Sequence, residues 1–198
     1  MLSLLPLRME KKRLAIFASG SGSNALNLVN FFANHSTVEV AFVLSNKKEA
    51  KVLERCAQIG FTTKVIDNDF AADGEKMSRF CLNQEIDFIV LAGYLRMIPS
   101  ELIQAFPNKI INVHPSLLPK YGGAGMYGMN VHKAVVEAGE KTSGITIHFV
   151  NEEYDKGQFI AQFHCALDTG DSAQDIAQKV QRLEHAYFPI VVEQVLNQ

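Results

Sequence analysis

The chain has 198 residues, long enough for one substantial α/β domain with a sizeable core. Its 47% hydrophobic and 20% charged residues exclude a disordered chain, and a net charge of −2 with no basic run longer than "EKKR" gives no electrostatic footprint for a nucleic-acid duplex or an anionic membrane. Cys56, Cys81 and Cys165 are scattered without C-x-x-C spacing, which suggests neither a disulfide framework nor a zinc site and fits a reducing cytoplasm.

Residues 1–12 read as a flexible N-terminal extension, too short and without the charged n-region or cleavage site of a secretory signal; Met9 is a candidate start of a shorter chain. No apolar run reaches the roughly 20 residues needed to span a bilayer. The segments 13–19, 38–45, 62–66, 88–93 and 110–114 are near-continuous β-branched apolar runs, the pattern of parallel strands covered on both faces. Between them lie amphipathic segments at 24–34, 49–60, 74–84 and 99–106, with Gly60 placed as a helix end and Pro99 suited to a first turn. This alternation predicts a single-domain, Rossmann-like α/β fold, a doubly wound, mostly parallel sheet with flanking helices. Its ligands should gather at the carboxyl ends of the strands.

Residues 115–130, "PSLLPKYGGAGMYGMN", carry two prolines and four glycines and read as a long binding loop. A helix at 131–139 precedes strands at 144–150 and 159–167, which alternate more and suit an antiparallel edge pair. In 171–196, Ile176, Val180, Leu183, Tyr187 and Ile190 form a helical apolar stripe that Pro189 should kink or interrupt.

Three places could carry chemistry. "SGSGSN" (19–24) joins a strand to a helix with small residues whose backbone N–H groups suit a phosphate; the bland alternative is a tight turn capped by Ser23 or Asn24. It lacks the lysine of a P-loop and the full G-x-G-x-x-G spacing. Asn112 and His114 end a strand two residues apart, hence on one face, and two donors aimed at one point could stabilise an oxyanion; the bland alternative is a satisfied strand-end pair. A histidine used this way needs a carboxylate, for which Asp155 in "NEEYDKG" is preferred over Asp87 and Asp168. His148 is either a group facing the site or a hydrogen-bonded sheet residue, and Arg96 either touches substrate or makes an ion pair. The histidines form no recognisable metal-ligand set, so no metal is expected.

Five segments in this order, "SGSGSN", "LAGYLRMI", "INVHPSLLPKYGG", "SGITIHFVNEEYDKG" and "LEHAYFP", resemble the phosphoribosylglycinamide formyltransferases, folate-dependent enzymes of purine synthesis. The resemblance spans about 13–189 and implies a formyltransferase domain over 13–198, with a phosphate-binding N-terminal half and a folate-binding, catalytic C-terminal half. It implies formyl transfer from 10-formyltetrahydrofolate, as co-substrate, to the amine of glycinamide ribonucleotide. By matching positions it makes Asn112, His114 and Asp155 catalytic. Gly22, Ser23, Asn24 and Glu184 fall on the ribonucleotide side, and Leu95, Arg96, Met97 and Ile98, with Asn112, on the folate side. The implied partners are small molecules, with no nucleic acid and no membrane, for a cytoplasmic monomer or homodimer without a metal. Two departures stand out: no arginine matches one that some relatives carry before the helix near residue 75, and Ala124 stands where similar loops have lysine. Among rivals, a methionyl-tRNA formyltransferase would need a further basic domain and a formyltetrahydrofolate hydrolase an N-terminal regulatory one. A non-catalytic nucleotide-binding module would leave Asn112, His114 and Asp155 without purpose.

Overall fold

A computed structural model describes residues 11–197. The candidate start Met9 and the expected extension up to residue 10 lie outside the described residues, and the first strand already begins at Lys12. In chain order the elements are β1 (Lys12–Phe17), α1 (Ser23–Phe32), β2 (Val38–Ser45), α2 (Lys51–Gln58), β3 (Thr63–Val65), α3 (Asn68–Ala72) and α4 (Gly74–Asn83). There follow β4 (Phe88–Leu91), α5 (Ser100–Ala105), β5 (Ile110–His114), α6 (Met129–Glu137), β6 (Thr142–Phe149), β7 (Phe159–Ala166) and α7 (Ala173–Leu196). They build one seven-stranded sheet in the order β3-β2-β1-β4-β5-β6-β7. Its first five strands pair parallel, while β5–β6 and β6–β7 pair antiparallel. The doubly wound fold and the antiparallel edge pair expected from the sequence are both present.

Burial explains why the central strands lack a polar face. Side chains alternate across a strand, and in β1 Leu14 and Ile16 enter one apolar layer while Ala15 and Phe17 enter the other. The first layer is closed by α1, α2, α6 and α7 through residues such as Leu28, Val52, Val135 and Phe188. The second is closed by α4 and α5 through Met77, Cys81 and Leu102. Chain order reverses between β1 and β4, and a crevice opens there at the carboxyl ends of the strands.

Two elements depart from expectation. The one-turn helix α3 falls in a stretch without readable apolar periodicity; Asp67 caps it by accepting from the Phe70 N–H, and Asp73 caps α4 by accepting from the Lys76 N–H. Pro189 does not interrupt α7, which runs continuously from Ala173 to Leu196. A proline at 189 cannot donate to the carbonyl of His185, four residues back, and the side-chain amide of Asn27, on α1, donates to that carbonyl at 2.8 Å instead. The apolar stripe also ends sooner than its spacing suggests. Tyr187 and Ile190 are 38% and 42% exposed, whereas Phe188, Val191, Val192, Val195 and Leu196 are buried. The exposed Tyr187 ring stacks on Phe163 of the edge strand β7 at 4.0 Å. The buried residues from Phe188 to Leu196 join the core layer that α1 closes, and the Lys12 ammonium donates to the last carbonyl of the helix, that of Leu196.

Candidate active site

A cleft of about 610 Å³ occupies the crevice and is lined by residues from the β1–α1 turn, the segment after β4, the end of β5, the 123–129 loop and α7. On its phosphate-like side Gly22 has φ +77, the left-handed region that glycine tolerates, and a Cβ there would lie 2.3 Å from the Val52 Cγ2 atom. This glycine lets the turn press against the start of α2. Helix α1 begins at Ser23 with no side-chain cap, so neither Ser23 nor Asn24 is the capping residue of a tight turn. Both are turned toward α7: the Ser23 hydroxyl accepts from Gln181 Nε2 at 3.2 Å, and Asn24 Nδ2 donates to Glu184 Oε2 at 2.9 Å. The α1 first turn is thus left with N–H groups and the positive end of its dipole facing the cleft. Gln181 was missed by sequence reasoning, although it lies one helical turn before Glu184 and hence on the same face. Burial pushes the Glu184 carboxyl above the usual range, opposed by its bond from Asn24 and the charge of His114.

The chemistry-bearing groups converge at the end of β5. Strand register sets Asn112 opposite His148 of β6, and Asn112 Nδ2 lies 3.1 Å from His148 Nε2. The other His148 nitrogen, Nδ1, is 2.8 Å from the carbonyl of Phe149, which can only accept; Nδ1 therefore carries the proton and Nε2 accepts from Asn112. His148 thus both faces the site and is hydrogen-bonded within the sheet. Asp155 reaches the same point, with Oδ1 at 3.4 Å from His114 Nδ1 and 3.6 Å from His148 Nε2, while Oδ2 accepts from the Gly123 N–H at 2.8 Å. Burial alone would raise its pKa, but the bond and charge of His114 and the bond from the Gly123 N–H outweigh it and hold the carboxyl well below the usual carboxylate range. The other two aspartates are occupied elsewhere: Asp87 accepts from the Arg13 N–H where β1 begins, and Asp168 pairs with Lys179.

His114 departs from a simple picture of two donors aimed at one point. Its Nε2 donates to the carbonyl of Tyr121 at 2.7 Å, and its Nδ1 faces Asp155. Tyr121 has φ +58, which turns its carbonyl onto the ring, and its hydroxyl is held by Glu140 Oε1 at 2.9 Å. Asn112, by contrast, uses one of its two amide hydrogens on His148 and retains the other. His132, on α6, also lines the cleft; it is buried, its Nδ1 has no partner among the described residues, and burial together with the charge of His114 pushes its pKa down.

The model of a family described as formyl transferase matches residues 12–192, across every element that builds this cleft. The chain belongs to the formyl transferase family. Phosphoribosylglycinamide formyltransferase of Bacillus subtilis (strain 168) is 37% identical to it over 192 residues, which cover 94% of this chain and 95% of that protein. The chloroplastic phosphoribosylglycinamide formyltransferase of Arabidopsis thaliana is 40% identical over 188 residues, covering 92% of this chain and 64% of that protein, so the chain spans under two thirds of the plant relative. A crystal structure of phosphoribosylglycinamide formyltransferase from Bacillus halodurans superposes with a TM-score of 0.84 at 33% identity, covering 94% of this chain and 96% of that one.

The third wall of the cleft is the segment after β4. Leu95 and Met97 are exposed there, Ile98 is buried, and Arg96 makes no ion pair among the described residues. Arg96 is a cleft residue, and no ion pair among the described residues ties its loop. Ala124 lies exposed on the opposite rim, in a loop whose neighbours Gly123, Gly125 and Gly128 all have positive φ. The segment that lacks the expected arginine forms α3 and the start of α4, where Lys76 is paired with Asp73. No helix among the described residues is long and apolar enough to cross a membrane.

Proposed function

We propose that this formyl transferase moves the formyl group of 10-formyltetrahydrofolate to the amine of 5'-phosphoribosylglycinamide, giving formylglycinamide ribonucleotide and tetrahydrofolate in purine biosynthesis. The observation that carries this reading is the cluster of Asn112, His114, His148 and Asp155 beside an uncapped helix N-terminus in one cleft. The ribonucleotide phosphate would lie at Gly22, Ser23 and Asn24, with Gln181 and Glu184 beside it. The pterin would lie along Leu95, Arg96, Met97 and Ile98.

The amine lone pair attacks the formyl carbon, and the C=O electron pair moves onto oxygen. Asn112 donates its remaining amide hydrogen to that oxyanion, a donor of this kind being worth about 3 kcal/mol. His114 supplies a second donor once its Nε2–H leaves the Tyr121 carbonyl for the cleft. Asp155, ionised, stabilises the imidazolium and orders a water that carries the proton from the attacking amine to N10, which leaves with the C–N bond pair. His148 holds the Asn112 amide in the donating orientation. No step is assigned to a metal. Three unpaired thiols suit the cytoplasmic location read from composition.

Purified protein supplied with both substrates is expected to release tetrahydrofolate, and with either one alone to release none. Release in water without ribonucleotide would identify a hydrolase instead. His114→Ala should lose roughly a hundredfold or more in kcat while ribonucleotide affinity stays within about twofold. An active His114→Ala enzyme would overturn the assignment of the histidine.

A further inference from the structure

Ser19 and Asn46 lie behind the cleft and are absent from its lining, yet they join its two substrate-facing loops. Ser19 follows the end of β1 and is 4% exposed. Its N–H donates to the carbonyl of Gly93 at 3.0 Å, and its hydroxyl oxygen accepts from the Leu95 N–H at 3.2 Å. Gly93 has φ +76, which directs the segment after β4 back toward Ser19. The Ser19 hydroxyl has a single proton, and it is donated to Asn46 Oδ1 at 2.7 Å. Asn46 is oriented in turn, its Nδ2 donating to Asn68 Oδ1 at 3.0 Å at the start of α3.

The direction of each bond follows from the one before it. With the Asn46 amide nitrogen committed to Asn68, its oxygen must accept, so the Ser19 proton points to Asn46 and a lone pair of Ser19 points to Leu95. A half-buried amide on the β2–α2 connection therefore sets the position of a backbone N–H in the pterin-facing wall. Ser19 also begins the turn that carries Gly22, Ser23 and Asn24, so the same side chain fixes the spacing between the two loops. We infer that Ser19 and Asn46 are positioning residues for the formyl donor, holding the Leu95 segment at the distance from the β1–α1 turn that amine attack on the formyl carbon requires. This inference rests on the assignment of the Leu95–Ile98 wall to the folate.

A steady-state comparison tests it. Loss of one neutral hydrogen bond corresponds to about tenfold, so Ser19→Ala should raise KM for 10-formyltetrahydrofolate about tenfold while KM for the ribonucleotide stays within about twofold. Asn46→Ala should act in the same direction, and the double variant should be no worse than Ser19→Ala alone, since both changes remove one chain of bonds. Asn46→Asp keeps an acceptor for the serine hydroxyl and should restore the folate KM to within about threefold of wild type. Equal rises in both KM values, additive losses, or an Asn46→Asp enzyme as impaired as Asn46→Ala would overturn the inference. Should Ser19→Ala fail to fold, the Asn46 pair decides alone. The two readings fail separately: a wild-type enzyme inactive with both substrates removes the proposed function, whereas an active wild type with unaffected variants removes only the positioning role.

Discussion

At the scale of single residues, the site works by assigning fixed hydrogen-bond directions to groups that could otherwise point either way. The Phe149 carbonyl fixes the His148 tautomer, which fixes the Asn112 amide. Asp155 is kept ionised by the His114 imidazole and one backbone N–H. Glu184 is set in the opposite sense, because its carboxylate loses water against α1 and gains only the Asn24 amide and a distant positive charge. A carboxyl whose folded pKa is raised favours the folded state most at low pH, and this contribution is lost as pH rises through the folded value. Glu184→Gln keeps an acceptor for Asn24 and removes the ionisation cost. It should raise Tm at pH 7, and the gain should shrink to nothing below the ordinary glutamate pKa of about 4.3. Thermal melts of both proteins from pH 4 to pH 8 check the sign; a gain that persists unchanged at pH 4 would refute it. Asn112 and His114 were readable as a pair from their spacing. The role of His148 was not, because only the register of β5 against β6 sets it opposite Asn112.

At the scale of elements, α7 shows how a local rule yields to a tertiary contact. A proline sixteen residues into a helix removes one intrahelical bond and normally breaks or bends it, yet the orphaned carbonyl of His185 is satisfied by Asn27. The helix continues, and with it the buried face of Phe188, Val191, Val192, Val195 and Leu196 that closes one layer of the core. Since that carbonyl is near solvent, Asn27→Ala should cost about 1 kcal/mol or less, a fall in Tm of about 2–4 °C at most. The cost should vanish in a Pro189→Ala background, where the helix supplies its own donor. A double-mutant cycle by urea denaturation measures the coupling; purely additive losses would show that Asn27 does not serve the carbonyl. No stretch of sequence around Pro189 reveals this, because the compensating amide of Asn27 is 158 residues from the His185 carbonyl it serves. The miss at α3 has a different cause: one helical turn bounded by Asp67 and Asp73 is too short to display a period.

At the scale of the whole molecule, the reversal of strand order between β1 and β4 brings the β1–α1 turn and the segment after β4 to one crevice, and the antiparallel pair β6–β7 delivers His148 and leads to Asp155 beside them. A ligand bound only by the folded chain stabilises it by about 2.7 kcal/mol at a hundred times its Kd. On the proposed function, glycinamide ribonucleotide alone should therefore raise Tm in a concentration-dependent way, and the unphosphorylated riboside should do so far less, because the proposal sets the phosphate at the uncapped start of α1. Equal shifts with both compounds, read by differential scanning fluorimetry, would place the phosphate elsewhere. The apolar runs, their alternation with amphipathic segments, the glycine-rich turn at 19–24 and the N-x-H pair at 112–114 were determined by sequence alone, since burial on both faces and backbone clearance impose residue types locally. The approach of Asp155 rather than Asp87 or Asp168 to His114, the engagement of His114 by Tyr121, the contact of Gln181 with Ser23 and the continuity of α7 were decided only by tertiary structure. Each depends on a contact between elements far apart in the chain, and the spacing of residues along one segment carries no information about which distant group meets it.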